Sequence, residues 1–170
     1  MPDFVDKDAL ELLDADHLAV KHLFVAYARL TYAPDSEASG ERAAIAAKIC
    51  DELTVHAQIE EEIFYPALRD AVPEAADVVA EAEDEHRQAK LLIAQVRAHR
   101  GVADDGFDQL VADLARVIED HVKEERDELF PKARSAPTLD LASLGVQLKE
   151  RQLALAQQQP EAAGARSWHR

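Results

Sequence analysis

Apolar side chains recur at steps of three or four residues through four long segments of the chain, at about residues 6–32, 41–69, 73–99 and 107–133. This spacing places the apolar residues on one face of an α-helix. In the last segment, for example, the stripe runs through Leu110, Leu114 and Val117. β-branched and aromatic residues are sparse and never alternate over a useful length. The pattern therefore predicts an all-α chain.

Proline- and glycine-containing breaks separate the segments at residues 34–40, 72–73, 101–106 and 135–137. Short connections between long helices place neighbouring helices antiparallel. We therefore expect an up-down-up-down four-helix bundle over residues 1–135. A C-terminal extension at 136–158 is expected to form one more helix, and residues 159–170 are expected to be a flexible tail.

The predicted extension has its own end signal and its own apolar face. Asp140 is placed to cap the first turn of the helix. Its apolar positions are Leu141, Leu144, Leu148 and Leu153. We expect this face to pack on the bundle.

An internal repeat divides the chain into two helical hairpins. Residues 56–69 align without gaps on residues 121–134, so that His56, Glu60 and Pro66 match His121, Glu125 and Pro131. Asp16-His17 of the first segment aligns in the same way with Glu85-His86 of the third. Each hairpin thus supplies one histidine and one His-x-x-x-Glu pair, and each proline should bend or end its helix.

Polar groups interrupt the apolar stripe of every predicted helix. Residues four apart lie on the same helix face, so His56 and Glu60 can point at one object, as can His121 and Glu125. The stripes of all four helices place the following residues on the inward side: His17, His56, Glu60, His86, His121 and Glu125. The inward seam of the bundle is therefore predicted to hold four imidazoles and two carboxylates.

A metal cluster would satisfy all six groups. A buried ionised carboxylate is costly unless it is paired or binds a metal, and no arginine is placed among these residues. A single histidine on an apolar face is more often a hydrogen-bonded core residue, and Glu60 alone could be a solvated charge. Six groups at repeated positions favour the metal. The donors suit iron, manganese or zinc, and a carboxylate can bridge two ions.

Composition limits the partners of the chain. Its net charge is −15, from 19 Lys and Arg against 34 Asp and Glu, which disfavours nucleic acid and anionic membranes as partners. No apolar run approaches the length of a membrane span. Cys50 is the only cysteine and the N-terminus lacks a signal-type stretch, so we expect a cytoplasmic protein. Cys50 itself is expected to be a small core residue.

With these motifs the chain resembles the hemerythrin-like family, also called HHE cation-binding proteins. The matching stretches lie within about residues 8–134. The resemblance implies a four-helix bundle with two iron ions, bridged by an oxo or hydroxo ion and by Glu60 and Glu125. His17 and His56 would bind one iron, and His86 and His121 the other. A ferritin-like site would need two Glu-x-x-His pairs, and the chain has one, ending at His86.

One position departs from the oxygen-carrying members of the family. Those members have two histidines four apart on the third helix, where this chain has Ala82 and Lys90 on either side of His86. One iron therefore lacks a ligand that the carriers possess, which argues against reversible oxygen storage. Glu83 or a tyrosine (Tyr27 or Tyr32) could add a ligand. Tyr65 and Phe130 are expected only to pack.

Two main functions follow from the resemblance and from the open metal positions that two histidines per ion would leave. The first is a redox enzyme that turns over peroxide or dioxygen, for example in a catalase-like reaction, with an unidentified redox partner. The second is a protein that binds or senses iron, dioxygen or nitric oxide without turnover. A purely structural metal site is a third, weaker hypothesis.

Overall fold

The computed structural model describes residues 7–32 and 36–159, and these residues are helical with short connections. The elements in chain order are α1 (Ala9–Leu30), α2 (Ser36–Ile59), a π-helical turn (Glu60–Phe64), α3 (Tyr65–Ala71), a 3-10 turn (Pro73–Ala75), α4 (Ala76–Ala98), α5 (Asp105–Glu124), a second π-helical turn (Glu125–Leu129), α6 (Phe130–Ser135) and α7 (Leu141–Gln157). The described residues form no strand, so the predicted all-α fold is confirmed. Residues 160–170 of the predicted tail lie outside the described part.

Four long helices form the bundle. Helix α2 continues through the first π turn into α3, and α5 continues through the second π turn into α6. Helix α1 packs against α2, α4 packs against α5, and further contacts join α2 to α4 and α1 to α5. None of the described helices combines the length and apolar character that a membrane crossing requires.

Side-chain caps fix where several helices begin. Asp8 caps α1 through the backbone N–H of Glu11, and the Glu11 carboxylate accepts a bond from the Asp8 N–H in return. The Asp104 carboxylate accepts from the Phe107 N–H at the start of α5. Asp140 accepts from the Ser143 N–H at 3.0 Å, which confirms the predicted cap of α7.

The helical backbone does not end at either internal proline. A π-helical turn precedes each one, with the Tyr65 N–H bonded to the Glu60 carbonyl and the Phe130 N–H bonded to the Glu125 carbonyl. Proline lacks an N–H and its ring collides with a carbonyl of a regular helix, and the wider turn accommodates both defects. Each π turn begins at one of the two glutamates of the inward seam.

The apolar core forms two clusters along the bundle axis. One cluster lies toward α3, α6 and α7 and includes Leu13, Phe64 and Leu129. The other lies toward the start of α5 and includes Ile49 and Leu114. The six residues of the inward seam lie where the stripe of each bundle helix passes from one cluster to the other. They form a polar layer across an otherwise apolar interior.

Helix α7 packs on α1 and α2, as predicted for the C-terminal extension. Leu144, Leu148 and Leu155 are buried there, whereas Leu153 is 53% exposed, so the expected packing of Leu153 is wrong. Leu155 lies seven residues after Leu148 and so continues its helix face, which Leu153 does not. A side chain at Gly145 would collide with the backbone of Lys7 and Asp8, so glycine permits the close approach of α7.

We expect Leu148→Ala to lower the free energy of unfolding by about 2–5 kcal/mol, because the side chain is fully buried and its removal leaves a cavity. The matched control is Leu153→Ala on the same helix, for which we expect a change within about 0.5 kcal/mol. Urea unfolding followed by circular dichroism measures both. Equal losses in the two variants would contradict the observed docking of α7.

Candidate metal centre

Six side chains form the polar layer, and they are the buried polar or charged residues of the described chain: His17, His56, Glu60, His86, His121 and Glu125. Both glutamates have an exposed fraction of 0%. The structure thus brings together every residue that the sequence placed on the inward seam.

The helices present these side chains in two equivalent sets. His17 lies in the middle of α1 and His86 in the middle of α4. His56 and His121 lie in the last turns of α2 and α5, and the following π turns open with Glu60 and Glu125. Each His-x-x-x-Glu pair therefore spans the passage from an α-helix into a π turn.

The four imidazoles meet as two pairs. The Nε2 atoms of His17 and His56 lie 3.2 Å apart, and those of His86 and His121 lie 3.1 Å apart. Each pair joins one histidine from the middle of α1 or α4 to one histidine of a His-x-x-x-Glu motif. These are the pairs that the family resemblance implied for the two ions.

Each carboxylate contacts both pairs. Oε1 of Glu60 lies 3.0 Å from Nε2 of His56 and 3.2 Å from Nε2 of His86. Oε1 of Glu125 lies 3.1 Å from Nε2 of His17 and 3.1 Å from Nε2 of His121. The two glutamates therefore occupy the positions from which a carboxylate can bridge two ions.

Three outer carboxylates fix the orientation of the rings. The Nδ1 atom of His56 lies 3.1 Å from Asp16, that of His86 lies 3.1 Å from Glu61, and that of His121 lies 3.0 Å from Glu85. An imidazole that donates from Nδ1 to a carboxylate directs the Nε2 lone pair to the centre, as a metal ligand does.

The sequence reasoning did not identify these outer carboxylates, although Asp16, Glu61 and Glu85 each adjoin a residue of the centre. The sequence feature that could have indicated two of them is the dipeptide of an acid followed by histidine, which recurs at residues 16–17 and 85–86. Asp16 and Glu85 each bind the histidine of a neighbouring helix rather than the one beside them, and Glu61 binds His86 of α4. Lys90 donates to Glu61 at 2.7 Å.

The donor set fits a cation better than it fits protons. Burial lowers the pKa of both His86 and His121. The carboxylates of Glu60 and Glu61 raise the pKa of His86, those of Glu125, Glu60 and Glu85 raise the pKa of His121, and the net shift is upward for both. Protonating both rings would, however, aim two N–H groups at each other across 3.1 Å. The close contacts of the carboxylates with Nε2 atoms also lack hydrogen-bond geometry, so both oxygens of Glu60 and one of Glu125 have no hydrogen-bond partner among the described residues. A metal ion satisfies the lone pairs and the carboxylates together.

Tyr65 belongs to the centre, which corrects the expectation that it only packs. Its hydroxyl donates to Oε2 of Glu125 at 3.1 Å and lies 3.2 Å from Nε2 of His86. Burial and the charges of Glu125 and Glu60 raise the pKa of Tyr65 well above its ordinary value. The phenol is therefore protonated at neutral pH and stands beside the pair formed by His86 and His121.

The other side chains that could have added a ligand lie elsewhere. Glu83 accepts a bond from Arg69 at 2.9 Å. Tyr27 donates to Asp108 at 2.6 Å within the second apolar cluster, and Tyr32 is 88% exposed. Cys50 is fully buried, as expected of a core residue, and burial raises the pKa of its thiol to about 11.

A cavity of about 320 Å³ adjoins the centre on the side of the second apolar cluster. All four histidines line it, together with apolar side chains from four helices, among them Val20, Leu53, Ile93 and Ile118. Lys90 and Arg97, both about half exposed, also line the cavity, so it reaches the surface. Small molecules thus have a route to the histidines.

Helix α7 also reaches the centre. The Gln152 side-chain amide donates to both oxygens of Asp16, at 3.0 and 2.8 Å, and Asp16 in turn holds the Nδ1 of His56. The neighbouring Arg151 forms an ion pair with Glu62 at 2.8 Å. Gln152 therefore links the C-terminal helix to one of the six central residues, whereas Arg151 only ties α7 to the π turn.

Comparison with known proteins gives three findings. The family model described as Hemerythrin HHE cation binding domain matches residues 8–133. The crystal structure of a hemerythrin HHE cation binding domain-containing protein from Mycobacterium kansasii is similar, with 26% sequence identity and a TM-score of 0.68 over 88% of this chain and 87% of that one. A Nostoc protein named DNA nickase is 35% identical over 88 residues, which is 52% of this chain and 24% of that protein. The chain thus spans about a quarter of that relative.

The link through Gln152 generates a prediction about metal binding. We expect Gln152→Leu to weaken metal affinity by up to about 10-fold, which is less than the roughly 10–100-fold cost of losing a group bonded directly to a metal ligand, because Asp16 remains but loses the amide that positions it. Competition with a chelator, after loading with ferrous iron under anaerobic conditions, measures the affinity. The control Arg151→Leu removes a contact of the same helix without touching Asp16, and we expect it to leave the affinity unchanged. A similar loss in both variants would assign the effect to general loosening of α7.

Proposed function

The chain belongs to the hemerythrin HHE cation binding domain family, as its motifs predicted, and from this premise we propose a non-haem diiron protein that reacts with peroxide or dioxygen. The observation that carries the proposal is the position of Glu60 and Glu125, each of which contacts a histidine of both pairs. A catalase-like reaction is the form of this activity that we propose.

Each ion would be held by one histidine pair and by both carboxylates. His17 and His56 would bind one iron, and His86 and His121 the other, with Glu60 and Glu125 bridging. The absence of thiolate and the mixture of imidazole and carboxylate suit iron. The donor types alone would also suit zinc and manganese. Family membership favours iron over these two metals.

Two redox-active ions would supply the electron exchange with peroxide or dioxygen, and the protein's own residues prepare the surroundings. Asp16, Glu61 and Glu85 keep three imidazoles in the tautomer that directs Nε2 inward. Tyr65 holds a proton at Oε2 of Glu125, within reach of an oxygen atom beside His86. Apolar walls limit water around the centre.

The second candidate is a binding or sensing protein without turnover, for iron, dioxygen or nitric oxide. The observation that favours it is the hydrogen-bond chain from His56 through Asp16 to Gln152. A change at one ion would alter the partner of a side chain on α7, so the outer helix could report occupancy to another protein. Turnover of peroxide distinguishes the two candidates.

DNA cleavage is not part of the proposal, although one relative is named a DNA nickase. The similarity covers about a quarter of that protein. A net charge of −15 also opposes approach to a phosphate backbone. We propose small molecules as ligands, the cytoplasm as the compartment, and a separate redox partner as the electron source.

Metal analysis tests the centre. We expect about two irons per chain in the wild-type protein and less than one in Glu125→Gln, because an amide cannot supply the negative charge that a bridging position requires. The control Glu128→Gln changes an exposed carboxylate of the same π turn and should retain the iron. Elemental analysis with the optical spectrum of the oxidised protein measures both. Wild-type protein that is purified from iron-replete cells without iron, or iron that Glu125→Gln retains in full, would refute the diiron assignment.

Tyr65 tests the proposed reaction. We expect the iron-loaded protein to consume hydrogen peroxide faster than the same concentration of free iron. Tyr65→Phe should slow this decay by about 100-fold or more with little change in iron content, because a positioned proton donor is lost. Tyr27→Phe removes another buried hydroxyl away from the centre and is the control. If decay by the wild-type protein does not exceed decay by free iron, the binding or sensing role replaces turnover.

A further inference from the structure

The two sides of the polar layer are built differently. On one side Phe64, Tyr65 and Phe130 pack closely against the centre, and the ring of His17 stacks on Phe130 with centroids 6.0 Å apart. On the other side lies the cavity of about 320 Å³, which all four histidines line. Access to the centre is therefore one-sided, and the cavity is the space in which a reacting molecule would sit.

The cavity is much larger than hydrogen peroxide or dioxygen requires. A water molecule, which is similar in size to either, needs roughly 10–15 Å³ of such space. Sites for organic ligands occupy about 300–1,000 Å³, and the observed volume falls at the lower end of that range. Ala57 and Ala89 lie on its wall and create the space, since a larger side chain at either position would project into it.

The wall favours an apolar occupant. Val20, Leu53 and Ile93 are buried around it, and Ile118 lies half-buried beside them. Water in such a space forms few hydrogen bonds with the wall, so its displacement by hydrocarbon is favourable. Besides the histidines and the cations at the outer end, the polar residues of the wall are Thr54, which donates to the Cys50 carbonyl, and Asp16, which is bonded to His56 and Gln152. The histidines are therefore the groups toward which a bound molecule turns its polar atoms.

The outer end selects against charge. Lys90 pairs with Glu61 at 2.7 Å, and Arg97 pairs with Asp51 at 2.9 Å. Each cation at the mouth is therefore matched by a nearby carboxylate. Neither an anionic nor a cationic head group finds an unmatched counter-charge there, so a neutral molecule is favoured.

We propose that this cavity binds an uncharged, largely apolar organic molecule with its polar oxygen end against the histidines. The ligand class rests on the proposed function and extends it, because it adds organic peroxides, R–O–O–H, to the reactants. Reduction of such a peroxide breaks the O–O bond and forms R–OH and water. The two electrons and two protons come from two molecules of a small thiol, which are oxidised to a disulfide.

Binding of cumyl alcohol, the unreactive product of cumene hydroperoxide, tests the cavity without any turnover. Isothermal titration of the purified protein should give a Kd below about 1 mM, because the aromatic ring and methyl groups bury apolar surface. Ala89→Leu should weaken binding at least 10-fold by filling the cavity. Ile118→Phe, on a different helix, should do the same, so the test does not depend on one variant folding. Ala80→Leu, an exposed position of α4, is the control.

The results separate this inference from the proposed function. Absence of cumyl alcohol binding to the wild-type protein, or equal binding to the wild-type and to both folded cavity variants, would overturn the inference. Saturable binding that both cavity variants lose supports it, whatever the metal content. Metal analysis and hydrogen peroxide decay are measured separately, so a protein without iron that still binds cumyl alcohol would refute the diiron enzyme and retain the cavity site.

Discussion

Two fully buried carboxylates and four buried imidazoles at the centre of an apolar bundle set the main physical constraint on this protein. In the described part of the chain no arginine or lysine pairs with these groups, and protonating both histidines of a pair would aim two N–H groups at each other across 3.1 Å. A cation held in common resolves the electrostatic conflict for all six groups. The burial of the centre, the outer hydrogen bonds and the close packing on one side are consistent with that requirement.

The backbone supports this centre through its two π-helical turns. Each begins at a central glutamate and ends just before the aromatic residue that precedes a proline, so the same local device occurs in both halves of the chain. The widened turn lets the helix continue past the proline. It also brings the residue five positions after the glutamate over the same side of the helix, because the hydrogen bond joins those two residues. In the first half, that residue is Tyr65.

Function depends on the surroundings as much as on the six central residues. Carboxylates outside the layer orient the imidazoles, Tyr65 holds a proton beside Glu125, and the cavity gives a single side of access. Helix α7 lies beyond the residues that the family model covers, yet its Gln152 supports the carboxylate that orients His56.

The sequence by itself determined the all-α fold, the bundle, the cap at Asp140 and the convergence of the six central residues. These features follow from local geometry, because residues four apart on a helix share a face. The internal repeat places the same His-x-x-x-Glu pair in both halves of the chain. Tyr65 was missed because a regular helix places it about 140° away from Glu60, and only the π turn brings its hydroxyl to the centre. Tertiary structure likewise decided that Leu153 is exposed, which histidines Asp16 and Glu85 contact, and that a cavity forms beside the centre. They depend on how each helix is rotated and how closely it approaches its neighbours, which helical periodicity does not encode.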